Sequence, residues 1–179
     1  GTESLSGTSG KPVAYTPKTY EGFTYKPALT KVNGTVQGTG TIAADNSTVV
    51  ELYYERNTVN VTFKLAGGNI GGNTNDVVRS GKYGTDLTLP VNPEKTGFVF
   101  KEWNPAPPSP LVFPAADTQY TAVWASLYIV TFSVGGTGGT LKATAEGVAE
   151  TATSPISVEK GKTVTFTAAP ESGYKVDKW

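Results

Sequence analysis

Three stretches of this 179-residue chain carry one pattern, and internal repetition constrains its fold more tightly than any other feature of the sequence. Gly10–Tyr15 (GKPVAY), Gly84–Leu89 (GTDLTL) and Gly161–Phe166 (GKTVTF) each place apolar residues three and five positions after a glycine. A proline follows each (Pro17, Pro93, Pro170), and then a glycine–aromatic pair: Gly22-Phe23, Gly97-Phe98 and Gly173-Tyr174. The two glycines stand 12, 13 and 12 residues apart in the three copies. A second signature, VTF, precedes the later copies at Val61–Phe63 and Val130–Phe132, 69 residues apart. The pattern predicts a mainly β chain with little helix, built as a tandem array of three small modules over residues 1–56, 57–125 and 126–179. Units of roughly 60 residues bury only about 60% of their unfolded surface, so each gains from stacking on its neighbours. Arrays of this kind serve as stalks or binding surfaces, whereas a catalytic site is rarely copied three times.

Residues 1–10 are small and polar and read as a flexible lead-in. Thr48–Tyr54 (TVVELYY) reads as a strong strand behind a turn at Asp45-Asn46. Val59, Val61 and Phe63 share one face of the next strand, and Tyr120, Ala122 and Trp124 share a face of another. Leu87, Leu89, Phe98 and Phe100 are expected to point inward. The proline-rich run Asn104–Pro110 cannot be a central strand, because proline has no N–H for the ladder. Only Asp76–Ser80 and Val148–Ala152 offer a turn or two of helix. Short seams at Glu55–Asn57 and Ala125-Ser126 leave little slack between modules. Nothing like the VTF strand precedes Gly10, and the third copy stops at Trp179, the counterpart of Trp103. The first module is therefore expected to lack its opening strand and the third its closing strand. That leaves sheet edges open to self-association.

Lys+Arg and Asp+Glu both number 15, without a basic cluster, so nucleic acid is not an expected partner. The absence of His and Cys excludes Ser–His and Cys–His nucleophiles. No apolar run reaches the ~18 residues of a membrane span, so no membrane contact is expected. With no Met either, the chain reads as a fragment or processed product. The acids, among them Glu21, Glu51, Asp86, Glu94, Glu102, Asp117, Glu146, Glu150 and Glu159, are scattered without repeated pairing and read as solvated surface.

Asn69, Asn73, Asn75 and Asp76 are the best metal candidates, since calcium takes oxygen ligands from flexible loops. One carboxylate is too little charge for tight binding, and a turn-rich loop is the preferred reading. No cofactor is expected. Trp103, Trp124 and Trp179 could stack on sugars, but Trp103 and Trp179 hold one repeat position, which assigns them to the core. Tyr53 and Tyr54 are adjacent, so one must face outward in a strand. With Tyr20 and Tyr25 they are the candidate ligand contacts, and Tyr25→Ala or Tyr54→Ala is expected to weaken binding without lowering the melting temperature. Lys64 and Lys101 lie in or beside strands, where an isopeptide bond would need a buried lysine, an Asn or Asp, and an acid between them.

Val61–Phe63, Gly67-Gly68, Leu87–Pro90 (LTLP), Pro93, Gly97–Phe100 (GFVF), Trp103 and Tyr120–Trp124 (YTAVW) resemble the internalin-type B repeat, also called the Listeria–Bacteroides repeat, of bacterial surface proteins. Val130–Phe132, Gly161–Ala168, Gly173-Tyr174 and Trp179 resemble a divergent form of it. Tyr15–Pro17, Tyr20–Tyr25, Ile42 and Leu52–Tyr54 resemble the mucin-binding-protein type of repeat, departing from the others where Ala28 or Leu29 stands at the Trp103 position. The resemblance implies small β-grasp-like folds strung along wall-attached or secreted proteins, with no catalytic residues. The expected function is a non-catalytic, semi-rigid stalk at the bacterial cell surface. The alternatives are adhesin modules for a host glycan, mucin or protein, and accessory domains of a larger surface enzyme.

Overall fold

Alternating β-branched and aromatic residues, punctuated by glycine, build short strands joined by tight turns. The computed structural model describes residues 2–4 and 6–178; it is mainly β, in several small sheets, with a single 3-10 turn at Pro27–Leu29 as the helical element among them. Trp179 lies outside the described residues, as do Gly1 and Leu5 of the lead-in.

The chain divides into two compact units. The first comprises Gly1–Thr62, Val78–Thr88 and Pro108–Thr118. Its first strands are β1 (Phe23–Tyr25), β2 (Lys31–Val32), β3 (Thr35–Val36), β4 (Val50–Glu51) and β5 (Tyr54–Arg56). β1 pairs antiparallel with β5, setting Tyr25 opposite Tyr54. β2 pairs with β3 across the Asn33-Gly34 turn and with β4 on its other side. The expected strand Thr48–Tyr54 is thus two short strands: β4 serves one sheet and β5 the other, and the chain breaks between them at Leu52-Tyr53. Apolar alternation fixed the strand character but not the choice of two different partners.

Next come β6 (Thr58–Lys64), β7 (Val77–Lys82), β8 (Phe98–Asn104), β9 (Thr118–Val130), β10 (Gly139–Ala145), β11 (Val148–Thr151), β12 (Ile156–Glu159) and β13 (Val164–Pro170). One sheet orders its strands β12-β9-β6-β7, with β8 paired to β9; another runs β11-β10-β13. The two short helical expectations are corrected. Residues 77–82 and 148–151 are strands, the first rich in β-branched Val77 and Val78, the second folded back on β10 through Gly147 at φ +77°.

The second unit, Phe63–Val77, Leu89–Pro107 and Gln119–Trp179, holds two apolar clusters. Phe63 is fully buried, stacked on Tyr120 at 5.4 Å between ring centroids and edge-on to Trp103 at 5.1 Å. Trp103 is buried as its repeat position requires, while Trp124 is only half-buried. Ala143, Ile156 and Val158 form the other cluster, packed by Val130, Phe132, Ala145, Val148 and Val164. Leu87 is buried as expected, but Leu89 and Phe98 are exposed. Residues 87–90 are not a strand, so period-two alternation fails to carry Leu89 inward.

The glycine motif repeats in geometry as well as in sequence. Gly10, Gly84 and Gly161 take φ of +76°, +72° and +83°; Gly22, Gly97 and Gly173 take +74°, +77° and +86°. That left-handed region is open to glycine and costly for other residues. A three-residue-back hydrogen bond closes each second turn: Phe23 N–H to Tyr20 O, Phe98 N–H to Lys95 O and Tyr174 N–H to Glu171 O, at 3.0–3.1 Å. The first turns close alike, from Lys11 to Thr8, Thr85 to Lys82 and Lys162 to Glu159.

Candidate functional site

The β1–β5 pairing gathers three of the four candidate tyrosines. Tyr20 meets Tyr54 edge-on at 5.0 Å and Tyr25 lies against Tyr54 at 5.4 Å. The hydroxyls of Tyr54 and Tyr25 are engaged: Tyr54 donates to Lys18 O at 2.8 Å, and Tyr25 shares a 2.6 Å hydrogen bond with buried Thr30. A hydrogen bond with Tyr25 raises the Tyr15 phenol above its ordinary pKa, and desolvation, followed by the neighbouring Tyr20, raises that of Tyr54. Tyr53 lies in the break between β4 and β5, outside any strand. Tyr20 and Tyr53 are each 51% exposed, whereas Tyr25 and Tyr54 are half-buried.

Substitution at Tyr25 or Tyr54 is therefore expected to cost stability, against the sequence expectation. Tyr54→Ala should cost about 2–3 kcal/mol through lost ring contacts and a lost hydrogen bond, while Tyr53→Ala should stay within about 0.5 kcal/mol. Urea denaturation of the two variants checks the contrast, and equal losses would contradict it.

An open groove of about 430 Å³ is lined by Thr24, Lys26, Glu55, Arg56, Asn57 and Asp117, among others; Thr24 and Glu55 pair next to Tyr25 and Tyr54 and so alternate to the opposite face of the β1–β5 ladder. Glu55 accepts from Lys26 at 3.0 Å and from Lys82 at 3.1 Å. These two lysines, Lys26 foremost, hold its carboxyl below the usual range, and Lys162 does the same for Glu146. A carboxylate whose folded pKa is lowered adds stability above its unfolded pKa and loses it as pH falls through the lowered value. The denaturation midpoint should therefore hold steady above the ordinary carboxylate range and drop below it. Glu55→Gln should flatten part of that drop in a pH series.

The Asn-rich loop spends its oxygens on its own turns. Asn69 Oδ1 accepts from Gly72 N–H at 2.9 Å, Asn73 Oδ1 from Asn75 N–H at 3.0 Å, and Asp76 Oδ1 from Leu65 N–H at 2.9 Å. Among the described residues no group of three His, Cys, Asp or Glu side chains converges. Lys64 and Lys101 face Asp76 at 3.5 Å and Glu159 at 3.0 Å, with both lysines more than 40% exposed, so neither meets the burial an isopeptide bond needs.

A second groove of about 360 Å³ had no sequence expectation. Asn69, Glu94, Lys95, Phe98, Phe100 and Trp124 line it. Lys95 Nζ sits 4.5 Å from the Phe98 centroid and 5.6 Å from that of Trp124, and donates to Ala66 O at 3.0 Å. Trp124 Nε1 donates to Leu65 O at 3.1 Å, and the ring packs where a Gly68 side chain would stand. The legible signal was a lysine three residues before an aromatic across a glycine turn, which brings an ammonium over a ring.

The family model of the Listeria-Bacteroides repeat domain matches residues 60–108, from β6 into the proline-rich run. That repeat is found in bacterial surface proteins, in keeping with a non-catalytic region there. No curated protein matches the chain. No helix among the described residues is long and apolar enough to cross a membrane.

Proposed function

We propose that the chain is a non-catalytic repeat region of a bacterial cell-surface or secreted protein, three β modules over residues 1–56, 57–125 and 126–179 acting as a semi-rigid spacer. The observation that carries this reading is the match of residues 60–108 to a surface-protein repeat, within a chain whose glycine motif recurs three times in one backbone geometry.

The seams support stiffness. Asn57 N–H donates to Gly22 O at 2.8 Å while Asn57 O accepts from Tyr83 N–H at 2.9 Å, so the first seam is held on both sides. The second, Ala125-Ser126, lies inside the unbroken strand β9. A chain fixed by ladder bonds has little of the freedom of a Gly/Ser linker. Small-angle scattering on the monomer tests the reading: a spacer gives a long, asymmetric distance distribution that does not change with salt. A compact, symmetric distribution contradicts it.

A second reading, an adhesin for a glycan or mucin, rests on Tyr20 and Tyr53, whose rings are exposed. Stacking on sugar faces suits such rings. This reading expects Tyr20→Ala or Tyr53→Ala to abolish binding with the melting temperature unchanged.

A further inference from the structure

Asn33-Gly34 is the one place in this chain where glycine follows asparagine, and the fold sets that pair at the tip of the β2–β3 hairpin. Val32 pairs with Thr35, so the loop between them has two residues. Both have positive φ, +50° at Asn33 and +79° at Gly34. That is the type I′ turn, whose twist suits a hairpin and which favours Asn-Gly. Both residues are exposed.

The carboxamide of Asn33 is held against the chain entering β4. Asn33 N–H donates to Val49 O at 2.8 Å, and Val49 N–H donates to Asn33 Oδ1 at 2.9 Å. The side-chain carbonyl thus takes the place of a main-chain acceptor one step beyond the Val32–Val50 pair. A backbone N–H so placed also stabilises negative charge that develops on the oxygen it faces. Asn33 Nδ2 and Gly34 N–H have no hydrogen-bond partner among the described residues. A Cβ built on Gly34 would meet nothing within 4 Å, so the Gly34 nitrogen stands in open space.

We propose that Asn33-Gly34 is a self-modification site, at which the Gly34 nitrogen attacks Asn33 Cγ and the side chain loses ammonia. As the N–Cγ bond forms, the Gly34 amide proton passes to hydroxide and charge develops on Oδ1, facing the Val49 N–H. The Cγ–Nδ2 bond then breaks, and the nitrogen leaves as ammonia with a proton from water. Water opens the cyclic imide that remains, at either carbonyl. Opening at Cγ leaves aspartate; opening at the former main-chain carbonyl leaves isoaspartate, with the chain routed through the side-chain carbon. Every other asparagine precedes a residue whose β-carbon crowds the attacking nitrogen. Aspartate keeps an oxygen for Val49 N–H. Isoaspartate lengthens a two-residue loop, so β2 loses its register with Thr35 on one side and Val50 on the other. Buried Val32 lies at the centre of that sheet. This goes beyond the spacer reading by giving the first module a chemical lifetime.

The test incubates the folded chain in mildly alkaline buffer and maps it by mass spectrometry, with fragmentation that separates aspartate from isoaspartate. Conversion confined to residue 33 is expected, with both acids formed and a rate that rises with hydroxide concentration. The isoaspartate fraction should melt at lower urea than the fresh chain. Asn33→Gly keeps a turn that glycine accepts, and should neither change mass nor develop the weaker fraction. Freshly prepared Asn33→Asp should melt with the parent. The proposal is overturned if residue 33 stays unchanged while a free peptide of residues 29–37 (LTKVNGTVQ) converts in the same buffer. Conversion spread over the other asparagines, aspartate formed alone, or an isoaspartate fraction that melts with the parent overturns it equally.

Discussion

Replacing Phe63 with alanine is expected to cost about 3–5 kcal/mol, the usual range for deleting a fully buried aromatic ring. The side chain has no exposed surface and touches Trp103 and Tyr120 at centroid distances of 5.1 and 5.4 Å. Removing it loses the ring's transfer free energy and leaves a void that two large neighbours cannot close without leaving their own rotamers. Native domains are stable by only about 5–15 kcal/mol, so the variant should be partly unfolded at 37 °C. Trp103 reports the change: its emission should shift to the red at lower urea than in the parent. A loss under about 1 kcal/mol would mean that this ring is not the centre of its cluster.

Gly22→Ala is the second large expected effect, and Gly97→Ala is its internal control. Both glycines hold the second motif position in the left-handed region, at φ +74° and +77°. An added Cβ at Gly97 meets nothing within 4 Å, so only the backbone term of about 1–2 kcal/mol applies. At Gly22 the Cβ would stand 2.1 Å from Tyr83 Cδ1. That ring packs edge-on to Phe23 at 5.8 Å, and its backbone is tied to Asn57, so it has little freedom to move aside. Displacing it adds about 1–3 kcal/mol, for a total of about 2–5 kcal/mol. Paired urea melts should place Gly22→Ala well below Gly97→Ala. Equal midpoints would mean that Tyr83 swings clear at no cost.

The parts of the fold that were legible in sequence are those fixed locally. β6 shows its period-two face in Val59, Val61 and Phe63, and all three are buried. The motif glycines announced turns, and all six are left-handed. Trp103 was assigned inward because it recurs, and it is buried. What failed depended on distant partners. Thr48–Tyr54 reads as one strand until its two ends choose different sheets. Val77 to Lys82 has a weak local pattern and becomes a strand only because the sheet supplies a place for it. The candidate tyrosines divided by the same logic. Tyr53 falls in the break before β5 rather than on an alternating strand, and only the pairing of β1 with β5 could show Tyr25 and Tyr20 closing on Tyr54. The groove at Phe98 and Trp124 joins residues far apart in sequence, and no periodicity links them.

The most direct measurement is a glycan and mucin binding screen on the folded chain at physiological salt, with the intact fold verified by its urea melt. A spacer predicts no saturable binding to any glycan or mucin. Saturable binding that is lost in Tyr20→Ala or Tyr53→Ala, with the melt unchanged, would contradict it and make the chain an adhesin.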